Sequence, residues 1–181
     1  MRTVLVLGGY GFFGQRISAA LASTGSVRVL VGGRDLERAS AATRATGLPV
    51  ENAVALDAHD GHLADVLRRL RVDVLIHTAG PFQGQDYFVA RAAIEARCHY
   101  IDLADGRQFV AGISSLSTLT SAVGLTVISG ASSVPALSSA VIDRYSPRFR
   151  RLEAIRIGIS SGARAPGLAT VRDLSISEKV A

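Results

Sequence analysis

The sequence predicts an α/β fold, a doubly wound parallel sheet of six or seven strands covered by helices. Three observations predict it. Short β-branched runs recur at near-regular intervals along the 181 residues. Several of them, such as VLVL, VRVLV and VDVLIHT, are almost continuously apolar, as strands covered on both faces must be. The segments between them carry apolar residues at helical spacing, and strands that alternate with helices imply right-handed crossovers and therefore a parallel sheet.

Taken in order, the predicted strands are Thr3–Leu7, Val27–Val31, Asn52–Leu56, Val72–His77, His99–Leu103 and Leu125–Ser129. Phe13, Ile17, Ala20, Leu21 and Thr24 fall on one helical stripe. Leu63, Val66, Leu67 and Leu70 make a second, and Val89, Ala90, Ala93 and Ile94 a third. Pro135, after Ser132 and Ser133, suits a capped helix start with proline in its first turn. The alternation is complete by about Tyr145. Beyond it lie one more expected strand, Leu152–Ile159, a Gly/Pro-rich loop and a polar tail. The expected division is therefore one α/β domain over residues 1–150 and a remainder over 151–181 with too little apolar periodicity to make a second domain by itself.

Charge and cysteine usage narrow the function classes. A net charge of +5 and a pI near 10.1 invite a nucleic-acid reading, but the positive charge is nearly all arginine, with Lys179 the only lysine. The clusters Arg68, Arg69, Arg71 and Arg144 to Arg156 do not alternate with stacking aromatics and read as solvated faces, so no nucleic-acid partner is expected. Cys98 stands alone, which excludes an intrachain disulfide. No apolar stretch reaches the ~18 residues of a membrane span, and the N-terminal run breaks at glycines before a signal sequence could finish. A cytoplasmic protein with a small-molecule substrate is the expectation, with room for a homodimer.

The chemistry concentrates in VLVLGGYGFFG. Gly9, Gly11 and Gly14 satisfy G-x-G-x-x-G, and Gly8, Gly11 and Gly14 satisfy a wider G-x-x-G-x-x-G. Such a turn needs backbone freedom, a pyrophosphate must approach the main chain with no Cβ in the way, and the helix must pack closely on the strand. The pattern alone is weak in a chain with 18 glycines, but here it follows a strand and opens a helix, the context that the motif requires. Gly9, Tyr10, Gly11, Phe12, Phe13 and Gly14 are therefore candidate cofactor residues.

The second strand distinguishes the cofactor. An NAD site usually places a carboxylate about 20 residues after the glycines, to bind the ribose 2′-hydroxyl. This chain has Val31-Gly32-Gly33-Arg34-Asp35. Gly33 opens space, Arg34 is placed to pair with a 2′-phosphate, and Asp35 reads most simply as a helix N-cap. NADP is favoured over NAD. Asp57, at the end of the third strand, would come near adenine or else cap the next helix. Ala79, Gly80 and Pro81 in HTAGPFQG should lie against the nicotinamide half, although Gly-Pro is also a common turn pair. Asp57, His59, Asp60 and His62 lack the spacing of a defined metal geometry, so no metal site is expected.

Asp102 and Asp105 in YIDLADG fall at the fifth strand's end; Asp102 is the only, and weak, catalytic candidate, while capping explains Asp105 as well. Cys98 and His99 are adjacent and point to opposite faces of a strand, so they form no catalytic pair. Tyr87-Phe-Val-Ala-Arg91 fails the Tyr-x-x-x-Lys of short-chain dehydrogenases, and GASSV fails the G-x-S-x-G of hydrolases.

Taken together, GGYGFFG, VGGRDLERA, VDVLIHTAGPFQGQDYFVARAAIEARCHYIDLADG and VISGASSVPALSSAVID, in this order and spacing, resemble the NADP-binding domain of saccharopine dehydrogenase-like proteins over roughly residues 1–150. The resemblance implies a Rossmann domain, with Gly9, Gly11 and Gly14 at the pyrophosphate, Arg34 at the 2′-phosphate and Ala79 to Pro81 near nicotinamide. It implies hydride transfer to or from a carbonyl, imine or amine, an NAD(P)-binding domain over residues 1–150, and a second α/β domain that completes the substrate pocket, of which residues 151–181 would be the truncated connecting start. It does not fix a substrate. A non-catalytic NADP-binding sensor or scaffold module is the alternative, kept by the lack of a clear acid/base set.

Overall fold

A computed structural model describes residues 1–158. Its six strands are β1 (Arg2–Leu7), β2 (Val27–Gly33), β3 (Ala53–Ala55), β4 (Val74–His77), β5 (His99–Asp102) and β6 (Val127–Ile128). They form one parallel sheet in the order β3-β2-β1-β4-β5-β6, so the direction of winding reverses between β1 and β4. The helices are α1 (Phe12–Thr24), α2 (Leu36–Ala45), α3 (Leu63–Arg69), α4 (Phe88–Glu95), α5 (Arg107–Gly112), α6 (Ser117–Val123) and α7 (Ser138–Tyr145). This is the doubly wound fold that the alternating pattern predicts.

The core follows from the continuous apolar runs. Leu5, Val6, Val29, Val31 and Leu75 are fully buried, because β1, β2 and β4 are covered on both faces. Leu63 and Leu67 of α3 and Val89, Ala90 and Ala93 of α4 pack against the sheet along the expected stripes. Asp73 ties the start of β4 to β1 by accepting from the Thr3 amide at 2.6 Å. Arg68 pairs with Asp65 and Glu95 on the surface at 2.6 and 2.7 Å, as a solvated cluster would.

Four expectations need correction. The buried side of α1 is centred on Gly14 and Ser18, with Phe13, Ala20 and Thr24 exposed. Small residues bring that helix onto the sheet, so the hydrophobic stripe misplaces its contact face. The strands at 52–56, 72–77 and 125–129 are shorter than predicted. Asn52 closes a 3-10 turn, the Val72 amide donates to Leu67 O in the turn after α3, and the Leu125 amide donates to Thr120 O after α6. The Ser132 side chain does not cap a helix at Pro135. It bonds the Val134 carbonyl, Val134 is extended, and α7 starts only at Ser138. Finally, residues 151–158 form no strand, because the segment meets no sheet edge; the rest of the expected seventh strand lies outside the described residues.

Candidate functional site

At the carboxyl ends of β1 to β4, where the winding reverses, a cleft of about 350 Å³ opens over the glycine loop. Tyr10, Gly11, Gly33, Arg34, Asp57, Ala79, Gly80 and Pro81 line it, so residues from four separate stretches of sequence meet in one place. Gly9, Phe12, Phe13 and Gly14 do not line it. Their work is local: Gly9 packs on Val31, and a Cβ on Gly14 would lie 2.3 Å from the Gly8 carbonyl oxygen and 2.7 Å from the Gly9 Cα. Gly14 therefore sets the closeness of helix and loop. Phe12 and Phe13, 47% and 53% exposed, pack their rings edge-on to each other at 5.2 Å, and their backbone opens α1.

That backbone carries the electrostatics. Gly11 caps α1 without a side-chain bond, and the first turn of α1 holds no acidic residue. The first-turn amides have no intrahelical acceptor, and the helix dipole adds positive potential at the same end. The arrangement is suited to a pyrophosphate.

At the other end of the cleft, Asp35 Oδ1 accepts from the Arg38 amide at 3.0 Å and caps α2. The carboxylate is thus turned to the helix, while Arg34 is exposed on the cleft wall. Asp57 Oδ1 accepts from the His59 amide at 2.9 Å, folding its own loop. It caps no helix, because α3 begins only at Leu63 with His62 before it.

Asp102 lies away from the cleft, fully buried. Its Oδ1 accepts from the amides of Ala104 and Gly130 and from the Ser129 hydroxyl, each at 2.9 Å, which clasps the end of β5 to the loop after β6. Its Oδ2 has no hydrogen-bond partner among the described residues. Asp102 is thus a clasp between the end of β5 and the loop after β6; it does not line the cleft, although its register partner His77 does. Asp105 does not cap α5, whose N-cap is Gly106; it accepts from Gln83 at 3.3 Å beside a second, wider cleft of about 820 Å³. Cys98 is buried in the core, and burial pushes its thiol up to about 12. His99 accepts from the Thr126 amide at 3.0 Å.

Gly8 of the wider glycine pattern lines the cleft too, and the structure adds Arg38, His59, His77, Thr78 and Gln85, which sequence reasoning did not assign to it. His77, the last residue of β4, is buried, with its ring edge-on to Phe82 at 5.0 Å and Nδ1 3.0 Å from the Tyr100 hydroxyl. Burial lowers its pKa to about 4, so the imidazole is neutral at pH 7. Burial first, and then the Asp102 charge, raises Tyr100, which keeps its proton. That one proton cannot serve both His77 and Asp102. Which ring nitrogen carries the imidazole proton decides whether the Tyr100 hydroxyl donates to His77 Nδ1 or accepts from it. Arg38 and Gln85 belong to no motif that marks them in the sequence. Among the described residues no group of three His, Cys, Asp or Glu is placed to hold a metal ion, and no helix is long and apolar enough to cross a membrane.

A reversal-point cleft with a glycine loop, an open helix N-terminus and no carboxylate facing the cleft from the end of β2 defines an NADP-binding domain of the doubly wound class. Comparison with known proteins carries this further. The chain belongs to the saccharopine dehydrogenase NADP-binding domain family, whose profile matches residues 4–149. Among solved structures it is similar to the apo form of saccharopine dehydrogenase (L-Glu forming) from Saccharomyces cerevisiae, at 24% identity and a TM-score of 0.65. That match covers 81% of this chain and 32% of the yeast chain, so this chain spans about a third of its relative's length. A shikimate 5-dehydrogenase from Mycobacterium fortuitum matches at 22% identity over 71% of this chain and 44% of its own, with a TM-score of 0.48. Gre2 from Candida albicans, in complex with NADPH, matches at 18% identity over 56% of this chain and 36% of its own, with a TM-score of 0.46. No curated protein matches by sequence.

Proposed function

We propose that this chain is the cofactor domain of an NADP-dependent oxidoreductase that transfers hydride between nicotinamide and a carbonyl, imine or amine. The observation that carries the proposal is the division of charge at the β2–α2 turn: Arg34 stands on the cleft wall while Asp35 is held on the helix. In this reading Gly8, Gly11 and the first-turn amides of α1 hold the pyrophosphate, Arg34 pairs with the 2′-phosphate, Asp57 meets the adenosine, and Ala79 to Pro81 support the nicotinamide ring. When bound, the cofactor supplies the hydride; the chain supplies its orientation and a cleft wall of fixed charge.

Residues 1–150 form this domain, and residues 151–181 begin the connection to the part of the protein that receives the small-molecule substrate. The same reading takes the protein to be cytoplasmic, homodimeric and without a nucleic-acid partner. A second reading, a non-catalytic NADP-binding sensor or scaffold, is supported by the placement of Asp102, whose carboxylate clasps backbone away from the cleft.

Titration of the 181-residue chain with NADPH and NADH, followed by nicotinamide fluorescence, tests the proposal. NADPH should bind at least about tenfold more tightly, the worth of one charge-assisted contact. Arg34→Ala should remove most of that preference; a ratio that stays unchanged contradicts the assignment.

A further inference from the structure

We propose that Arg38, stacked on Tyr10, is a second cation for the 2′-phosphate and that this pair couples the glycine loop to the phosphate. The inference rests on the NADP reading above and names a recognition element which that reading lacks.

Tyr10 stands in the middle of the glycine loop, yet its side chain reaches across to the end of β2. A Cβ on Gly33 would lie 2.3 Å from the ring's Cε1 and 2.8 Å from its Cζ, so the ring occupies space that only glycine leaves. Its hydroxyl accepts from the Asp35 amide at 3.3 Å, and its inner side packs on Val31, Ala39 and Ala42. The ring is therefore fixed from three sides.

Arg38 takes the remaining side, its guanidinium carbon 4.6 Å from the ring centroid. It belongs to the first turn of α2, whereas Arg34 lies in the turn before the Asp35 cap. Both line the cleft, and among the described residues neither has a carboxylate within ion-pair distance. Two carboxylates lie between them in sequence, Asp35, which caps α2, and Glu37 in its first turn, and neither is within ion-pair distance of Arg34 or Arg38.

Two guanidinium groups at one cleft rim, with no ion-pair partner among the described residues, suit a phosphomonoester, which carries nearly two negative charges at pH 7. A 2′-hydroxyl gives them nothing to neutralise. A guanidinium over an aromatic ring uses its π face for the ring and keeps its in-plane N–H donors for the phosphate. Because the ring that holds Arg38 belongs to the loop that faces the pyrophosphate, engagement of the 2′-phosphate also steadies that loop.

Calorimetric titration of the chain with NADPH, NADH, 2′,5′-ADP and 5′-ADP tests this, with circular dichroism as the check on folding. Arg38→Met, which keeps the aliphatic stem, should weaken the two 2′-phosphorylated ligands by about tenfold and change the other two by less than about twofold. Tyr10→Leu should lose part of the same preference, and Tyr10→Phe, which keeps the ring, should lose less than Tyr10→Leu. An unchanged NADPH to NADH ratio in Arg38→Met, or equal weakening of all four ligands, overturns the role of Arg38 and leaves the NADP reading standing. An unmodified chain that binds NADH as tightly as NADPH overturns both.

Discussion

The two ends of the sheet are built differently. Around β1, β2 and β4 most apolar strand residues are buried, and Leu5, Val6, Val29 and Leu75 are sealed from solvent. Around β6 and α7 the apolar residues are as frequent but open: Leu137, Val141, Tyr145 and Phe149 are all more than 40% exposed, and α7 buries none of its residues. Apolar composition is thus not the same as a core. A strand becomes core when neighbours hydrogen-bond it on both edges and helices cover both faces, a condition that β1 meets and the two-residue β6 does not. The candidate cofactor site sits at the closed end, where rigid elements can hold a loop in one geometry.

Substitutions that separate the ends should differ widely in cost. Leu75→Ala, at the sealed centre, should lower the unfolding free energy by about 3–4 kcal/mol in urea titrations, through lost burial and a cavity. A loss below about 1 kcal/mol would mean that the centre is looser than described.

The next effect is in pH. His77 is neutral when folded, with a pKa near 4 set by burial, against 6.5 when unfolded. Between those values the unfolded chain binds the extra proton, so stability should rise with pH, by about 3 kcal/mol across the window from pH 4 to 6.5. In His77→Leu the slope over this window should fall by nearly one proton. An unchanged slope would place the imidazole in contact with water.

A smaller effect tests the β2–α2 turn. Asp35→Ala should cost about 1 kcal/mol, the worth of an N-cap, and should leave NADH affinity nearly unchanged, because the carboxylate serves the helix. A large loss of NADH affinity would return Asp35 to the ribose. Smallest of all, Val141→Ala on the open face of α7 should stay within about 0.5 kcal/mol.

What could be read in advance depended on how local the signal was. The glycine loop, Arg34 and HTAGP are local motifs at strand ends, and the topology brings them together as expected. The Asp35 cap was readable for the same reason. The Tyr10 contact with Gly33 was not, since it joins positions 23 residues apart through a missing Cβ. The face of α1 was misread because Gly14 and Ser18, too small to register as hydrophobic, are the residues that touch the sheet. The alternation after residue 151 resembled a strand, but pairing requires an edge to pair with, and no periodicity records that. Asp102 is a weak catalytic candidate on its strand-end position alone; its burial and two of its three donors depend on a loop 27 to 28 residues away and leave no local trace.

The central claim, that the closed end of the sheet is an NADP site whose 2′-phosphate subsite lies at the β2–α2 turn, is tested most directly by an amide chemical-shift titration of the chain with NADPH. Shifts should concentrate at Gly8 to Gly14, Gly33 to Arg38, Asp57 and Ala79 to Gly80, with those at Arg34 and Arg38 reduced when NADH replaces NADPH, and α7 should stay silent. Shifts centred on α7 or on the cleft beside Asp105, with the glycine loop unmoved, would contradict it.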